Sequence, residues 1–258
     1  MGPLVALLLG VAPVAAPPPA PAQSPCPGAE ARSALAMPPP LLQPAKVPPD
    51  EADYRHLLNS TPLGWPRLTR WCVWVQPPAS SGPAARWEKL WWEAVDRALA
   101  SWAQMVPLQR VQDPEAAQIR IERRRPPLRL EEDGRRRASH GRAMLRLERV
   151  QRQGHWRLEP AVTVLLGADQ RPAAIEATAL HELGHALGLW GHSDDHRDAM
   201  APAPGPKPTL SPSDRDRRTL EWLYRQPTRF GTPEATAPQD TGRPLRGAST
   251  MASRNAPS

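Results

Sequence analysis

Alternation of apolar and polar residues predicts several strands along the chain. Residues Leu68–Val75 alternate, are rich in aromatic side chains and precede two prolines that would end a strand. Gln118–Glu122 alternates in the same way, and Ala143–Val150 does so less regularly. Ala161–Leu166 is a short apolar run of the kind found in a buried strand.

Apolar residues at helical spacing predict three helices. The first spans residues 84–105, where Trp and other apolar residues recur every three or four positions. The second begins at Pro172 and runs to about Leu187, with Gly188 placed to end it. The third is short and follows Ser211–Asp214, which has the pattern of a helix N-cap with a capping-box acid. The order is strand, helix, several strands, helix, long loop and helix.

The N-terminus has the pattern of a secretory signal peptide. An apolar run, Leu4–Ala16, is too short to span a bilayer and precedes an A-x-A pattern that ends at Ala22. No Lys or Arg precedes this run, and a Pro/Ala-rich disordered start is the alternative. We expect residues 1–22 to be removed on export to the periplasm, the cell envelope or the extracellular space, leaving no transmembrane span.

Composition sets the outer limits of the folded part. Proline accounts for 35 of the 258 residues, which is more than helices and strands accommodate. Residues 23–53 are rich in Pro and Ala and predict a linker or pro-segment, whereas residues 227–258 predict a disordered tail. Residues 54–226 are therefore the predicted folded domain. The composition excludes a collagen, a coiled coil and a disulfide-dense scaffold, but not an enzyme.

The basic residues admit two interpretations. The formal net charge is +7, and only three of the 33 basic residues are Lys. A dense arginine stretch could bind a polyanion, or it could be a solvated loop in a chain that prefers Arg to Lys; the second is favoured, so nucleic acid is not expected as a partner. The stretch contains Arg120, Arg123, Arg124, Arg125, Arg129, Arg135, Arg136 and Arg137.

The two cysteines leave their redox state open. In an exported protein Cys26 and Cys72 could form a disulfide. The alternatives are a free buried Cys72 and a mobile Cys26. The sequence does not indicate an oligomeric state.

The segment from His181 to His192 carries the chemistry. His181 and His185 lie one helical turn apart, so that both imidazoles project from one face and can bind one Zn²⁺. Gly188 can end the helix and let the chain return, which would bring His192 to the same metal. Three histidines leave a fourth position for water, and Glu182 could take the proton of that water. Ordinary surface or core histidines are the alternative, but four of the seven histidines lie between His181 and His196.

This segment resembles the metzincin metalloproteases, and within them the matrixin-like branch. The metzincin pattern is HExxHxxGxxH followed by a Met-turn. Here Gly191 stands at the usual position of the third histidine and His192 comes one residue later, a spacing similar to that of matrixin-like proteins from cyanobacteria. Met200 follows eight residues after His192, as in the matrixin Met-turn. The resemblance covers about residues 65–230.

The resemblance implies an α+β, metzincin-like catalytic domain with a mixed twisted sheet, an active-site helix, a Met-turn and a C-terminal helix. It implies a zinc metalloendopeptidase that hydrolyses peptide bonds through a zinc-bound water activated by Glu182. The ligands of one catalytic Zn²⁺ would be His181, His185 and His192, with Met200 as the floor beneath the metal. No calcium loop is recognisable, and Ca²⁺ remains open.

A protein or peptide substrate would lie along an exposed strand edge, with Ala143–Val150 and Ala161–Leu166 as candidates. For the third ligand, the alternatives to His192 are Asp194, Asp195 and His196.

The sequence also allows other interpretations of its function. Another type of zincin could use Glu221 as its third ligand. A zinc-containing, non-catalytic binding protein could dock through the Arg-rich stretch. Cys26, in a faint cysteine-switch context, could cap the zinc of a precursor.

Overall fold

The computed structural model describes residues 26–234 except 131–133, 135 and 204–206. The predicted signal peptide, residues 1–22, lies outside the described residues. No helix within the described ranges combines the length and the apolar content needed to cross a membrane.

The described chain contains ten strands, three α-helices and two short 3-10 turns at Arg55–Leu57 and Pro114–Ala116. The helices are α1 (Ala85–Ala103), α2 (Pro172–Ala186) and α3 (Asp214–Arg225). The strands are β1 (Ala31–Ala34), β2 (Gln43–Pro44), β3 (Asn59–Ser60), β4 (Trp71–Val75), β5 (Leu108–Arg110), β6 (Ile119–Glu122), β7 (Arg129–Leu130), β8 (Arg136–Arg137), β9 (Gly141–Arg152) and β10 (His155–Leu166).

Six of the strands form one mixed sheet in the order β1-β9-β10-β6-β4-β5. Strands β10, β6, β4 and β5 pair in parallel, whereas β9 pairs antiparallel with β10 and β1. The predicted strands are therefore present, and the two longest, β9 and β10, extend several residues beyond their predicted limits. The part of β10 before Ala161 contains the charged residues Arg157 and Glu159 as well as Pro160, so it lacks an apolar strand pattern although Leu158–Pro160 is buried.

Helix α2, which carries the histidine motif, is held between the sheet and α1. It contacts β9 and β10 as well as α1. The indole N–H of Trp102 in α1 donates to the Leu180 carbonyl at 2.9 Å, and both side chains are fully buried. Trp71 and Trp91 fill the same core. The position of α2 is thus fixed by large apolar contacts on the face opposite its histidines.

The fold includes part of the segment predicted as a linker or pro-segment. A disulfide joins Cys26 to Cys72 in β4, which resolves the question of cysteine pairing and leaves no Cys26 thiolate to cap a metal. β1 pairs with residues Glu148–Gln151 of β9. Composition alone does not reveal such a strand, because backbone hydrogen bonds can hold a segment of almost any sequence at an open sheet edge.

The start of the predicted disordered tail also packs on the domain. Phe230 is buried in the core, the N–H of Gly231 donates to the Leu158 carbonyl at 2.8 Å, and that of Glu234 donates to Trp156 at 2.8 Å. Residues 227–234 are therefore part of the folded body. The remaining domain limits stay a prediction.

Part of the arginine stretch forms ion pairs with carboxylate groups. Four of its guanidinium groups lie 2.6–3.1 Å from an acidic side chain. This pairing lowers the local excess of positive charge. Arg120 lies within β6 and the side chain of Arg123 is only 12% exposed, so these two arginines are not part of a solvated loop. The pairs are Arg120–Glu115, Arg123–Glu88, Arg124–Glu122 and Arg125–Asp169.

Candidate metal centre

The C-terminal end of α2 is built to reverse the chain. The helix begins with Pro172, whose fixed φ suits the first turn, and ends at Ala186. Gly188 adopts a φ of +113°, which side chains with a Cβ rarely adopt. The N–H of Leu189 then donates back to the Gly184 carbonyl at 3.0 Å. This turn carries the following residues back along the helix, as the glycine predicted.

The turn brings His192 to the two helical histidines. One ligand atom from each of His181, His185 and His192 lies within 4.8 Å of the others. The ring centroids are 4.8 Å apart for His181 and His185, 5.4 Å for His181 and His192, and 5.0 Å for His185 and His192. The three side chains predicted to share a metal therefore converge on one point.

Backbone carbonyls orient two of the rings. Nδ1 of His181 lies 2.8 Å from the Ala199 carbonyl oxygen, and Nδ1 of His185 lies 2.7 Å from that of Leu189. A carbonyl only accepts, so each Nδ1 carries the proton and donates it. Each Nε2 then keeps its lone pair. Fixing the tautomer in this way is what a metal-binding histidine requires.

The three imidazoles are held neutral. Burial, together with the neighbouring His192 and against the hydrogen bond to Ala199, lowers the pKa of His181 to about 4. Burial, together with the other two histidines, also puts the pKa of His185 well below its usual value, and burial lowers that of His192. Three neutral imidazoles, two of them with a defined Nε2 lone pair, fit a Zn²⁺ ion.

Glu182 lies between the helix and the edge of the sheet. It is buried, and its Oε2 accepts a hydrogen bond of 2.7 Å from the backbone N–H of Ala143 in β9. Burial raises the pKa of Glu182 to about 7, although the Ala143 N–H and the charge of Arg142 act in the opposite direction. The carboxyl group is thus placed beside both the histidines and a strand edge.

The extra residue before His192 is accommodated by the N-terminal segment. The N–H of Asn59 donates to the Trp190 carbonyl at 2.5 Å, and Leu58 forms a bridge with Gly191. A Cβ at position 191 would collide with the backbone of Leu57. Glycine is therefore needed here for a close approach of two chain segments, and its φ is not positive.

Met200 packs against the motif helix at Gly184. Its side chain is fully buried. A Cβ at Gly184, in the middle of the HExxH motif, would collide with the Met200 sulfur and lie 3.2 Å from Trp102. The Met200 carbonyl accepts from the N–H of Ser193 at 2.9 Å, which links the Met-turn to the residue after His192.

Asp216 was not among the predicted site residues, yet it supports the site. Its carboxylate is fully buried and accepts from the N–H of Ala199 and the N–H of Ser213, each at 2.8 Å, and from the Tyr54 hydroxyl at 2.7 Å. Ser213 and Asp216 form the capping box of α3, two residues later than the predicted cap at Ser211. Because Ala199 also binds His181, Asp216 holds the carbonyl that orients that ring.

The alternative third ligands are engaged elsewhere. Asp194 binds Arg215 at 2.7 Å and Asp195 binds Arg197 at 2.5 Å. The side chain of His196 is 74% exposed. Glu221 projects from α3 and lies 3.6 Å from Arg225. None of these four belongs to the cluster of His181, His185 and His192.

The sheet distinguishes the two candidate strands for a substrate edge. β10, which contains Ala161–Leu166, pairs with β9 on one side and with β6 on the other. β9, which contains Ala143–Val150, pairs with β1 only over Glu148–Gln151. Within the described ranges, no strand covers the outer edge of β9 from Gly141 to Arg146. The open edge therefore lies beside Glu182.

Comparison with known proteins agrees with this architecture. A family model described as Matrixin matches residues 84–225, which is more than half of the chain. No curated protein gives a significant match. The match, together with the mixed sheet and three helices, confirms the predicted α+β metzincin-like fold. The chain belongs to the matrixin family of zinc metallopeptidases, hydrolases that carry a catalytic zinc and act on proteins.

Proposed function

We propose that this chain is an exported endopeptidase in which His181, His185 and His192 hold the catalytic zinc and Glu182 is the general base. The observation that carries the proposal is the convergence of three neutral imidazoles, two of them oriented by backbone carbonyls, next to a buried carboxylate. Bound zinc would polarise the carbonyl of the scissile bond and lower the pKa of a water molecule.

The chain's own groups account for the proton transfers. Oε2 of Glu182 is fixed by the Ala143 N–H, which leaves Oε1 free of that bond to take a proton. The same carboxyl can then deliver this proton to the leaving amine. Met200 packs against Gly184 with no room for a Cβ, which helps to fix the helix that carries His181 and His185.

The substrate would add to the sheet as an extended strand. Leu145 lies on the part of β9 that β1 does not cover, and Ala143, on the same stretch, donates its N–H to Glu182. Backbone hydrogen bonds to such an edge bind a peptide largely independently of its sequence, and pockets for side chains add selectivity. The open edge passes Glu182, so a bound peptide bond would be presented to that carboxylate.

A proteolysis assay tests this function. The full chain is incubated with an unfolded protein, with and without a zinc chelator, beside the Glu182→Ala variant. We expect cleavage by the wild type, loss of cleavage with the chelator and recovery on addition of zinc. Equal cleavage by wild type and Glu182→Ala would contradict the proposal. Salt-sensitive binding to a polyanion without any turnover would instead favour the non-catalytic alternative.

Export is proposed from the N-terminal sequence, and the disulfide supports it. Cys26–Cys72 pairing is typical of proteins that fold outside the reducing cytosol. The expected result is that the protein recovered from outside the cytosol begins at Gln23. N-terminal sequencing checks it, and an intact Met1 on exported protein would contradict the predicted cleavage.

A further inference from the structure

One part of the outer edge of β9 is paired with the chain's own N-terminal segment, and the other part is open. β1 covers Glu148–Gln151, and the N–H of Leu35 donates to the Leu147 carbonyl at 2.9 Å. The open stretch from Gly141 to Arg146 follows directly on the side of Glu182. The occupied and open stretches therefore lie end to end along one strand.

The register shows that both stretches offer the same kind of backbone groups. In an antiparallel ladder, the N–H and C=O of one residue point to the same neighbour, and successive residues alternate. Leu147 points to the β1 side, and its opposite residue in β10 is Pro160, which has no N–H to donate. Ala143 and Leu145 lie an even number of residues before Leu147 in the same strand. They therefore point to the same outer edge.

β1 is firmly attached to the sheet. The disulfide at Cys26 anchors the segment before it, and Arg152 donates to the Pro27 carbonyl. Arg32 within β1 lies 2.9 Å from the Glu148 carboxylate. With anchors both before and within the strand, β1 is a fixed neighbour of β9.

We infer that β1 and Leu35 limit how far a substrate extends on the N-terminal side of the scissile bond. The inference rests on the proposed function. A peptide that adds antiparallel to β9, as β1 and β10 do, runs in the same direction as β1, so its N-terminal end meets Leu35.

The length of the open edge sets the number of residues that fit. Four β9 positions run from Ala143, whose N–H binds Glu182, to Arg146, the last residue before Leu147, which Leu35 occupies. At ~3.4 Å per residue, about four substrate residues N-terminal to the bond can pair with β9. Residues beyond them have to leave the sheet. Sequence selectivity on this side of the scissile bond is therefore confined to the few substrate residues that pair with β9.

Peptides of increasing length test the limit. A quenched fluorescent peptide with a constant C-terminal half is extended one residue at a time on its N-terminal side. With the full chain, kcat/KM should rise up to about the fourth residue and then change by less than about twofold. A continued rise with length in the wild type would overturn the inference.

Two proline variants separate the effect of β1 from that of the peptide. Ser33→Pro removes the N–H that faces Arg149, so it should release β1 and let kcat/KM rise further, by roughly a factor of two to ten per added pair of hydrogen bonds. Ala34→Pro is the matched control, because Ala34 is also exposed but its N–H points away from β9. Hydrogen exchange at the Arg149 amide reports the release. Fast exchange without a change in length dependence would overturn the inference.

Cross-linking locates the N-terminal end of the bound peptide while β1 stays paired with β9. The Glu182→Ala variant is mixed with a peptide that carries a photoreactive residue just beyond the predicted limit. We expect cross-links to residues 34–37, whereas cross-links to Glu148–Gln151 would overturn the inference. Cleavage that requires Glu182 but shows no length limit contradicts this inference alone. Cleavage independent of Glu182 contradicts the proposed function.

Discussion

The carboxylate of Glu182 accepts a hydrogen bond of 2.7 Å from the backbone N–H of Ala143, which joins the histidine helix to the edge strand of the sheet. One residue thus contacts both parts of the proposed catalytic cleft. The helix supplies the metal-binding face, and the strand supplies the open edge for a substrate.

Replacing Glu182 should abolish turnover but spare the metal. In Glu182→Ala, kcat should fall by roughly 10²–10⁴ because a positioned general base is lost, while the bound zinc stays near that of the wild type. Metal analysis and peptide cleavage measure the two quantities. Glu176→Ala is the control, since Glu176 lies buried on the same helix but binds Arg97 at 2.7 Å. The Glu176→Ala variant should lose stability and keep its activity. Loss of zinc in Glu182→Ala would contradict the role assigned to Glu182.

Removing a proposed ligand should release the zinc. His185→Ala and His192→Ala should each bind zinc far more weakly, because a three-histidine site loses one of its protein ligands. Equilibrium dialysis against a zinc chelator measures the affinity. His196→Ala is the control, since that side chain is exposed and lies outside the cluster. Full zinc affinity in His192→Ala would show that another residue is the third ligand.

Asp216→Asn should weaken both the fold and the site. The amide keeps the shape but turns one acceptor oxygen into a donor, so N–H groups such as that of Ala199 lose their partner. The free energy of unfolding should fall by about 1–3 kcal/mol, and zinc affinity should fall because the Ala199 carbonyl orients His181. Urea denaturation and zinc titration check it. Asp214→Asn, in the exposed first turn of α3, should change neither.

Asp53 should make the protein sensitive to acid. Burial alone would raise its pKa, but the side-chain and backbone hydrogen bonds from Arg55 outweigh burial and hold the pKa below the usual 3.8. A carboxyl group with a depressed folded-state pKa stabilises the fold above its unfolded pKa and loses this effect as pH falls through the folded pKa.

Denaturation at a series of pH values tests this contribution. The difference in unfolding free energy between wild type and Asp53→Asn should be largest near neutral pH and shrink below about pH 4. Asp50→Asn is the control, because Asp50 binds the same Arg55 at 3.0 Å but is more exposed. A difference that does not vary with pH would contradict the assignment.

Reduction of Cys26–Cys72 should destabilise the domain. The bridge closes a loop with a sequence separation of 46, for which the chain-entropy estimate is about 4 kcal/mol or less. The midpoint of thermal unfolding should therefore fall on addition of a reductant. The Cys26→Ser variant should start at the lower midpoint and not respond to reductant. An unchanged midpoint in the wild type would mean that β1 is held by its other contacts alone.

Local sequence spacing was sufficient to predict the parts of the site that lie within one helix. His181, Glu182 and His185 have a fixed relation because an α-helix repeats every 3.6 residues. The positive φ of Gly188 was likewise predictable, since a helix end favours glycine there. The same regularity predicted the existence of the main helices and strands, with errors at their ends.

Contacts between distant segments were decided only by the tertiary structure. The strand β1, the support of Ala199 by Asp216 and the packing of Leu57 against Gly191 join residues far apart in the chain. Backbone hydrogen bonds make most of these contacts, and a backbone group is the same in nearly every residue, so it leaves no pattern in the sequence. The sequence by itself thus determined the metal-binding motif and its helix, whereas the folded sheet decided which strand edge stays open beside it.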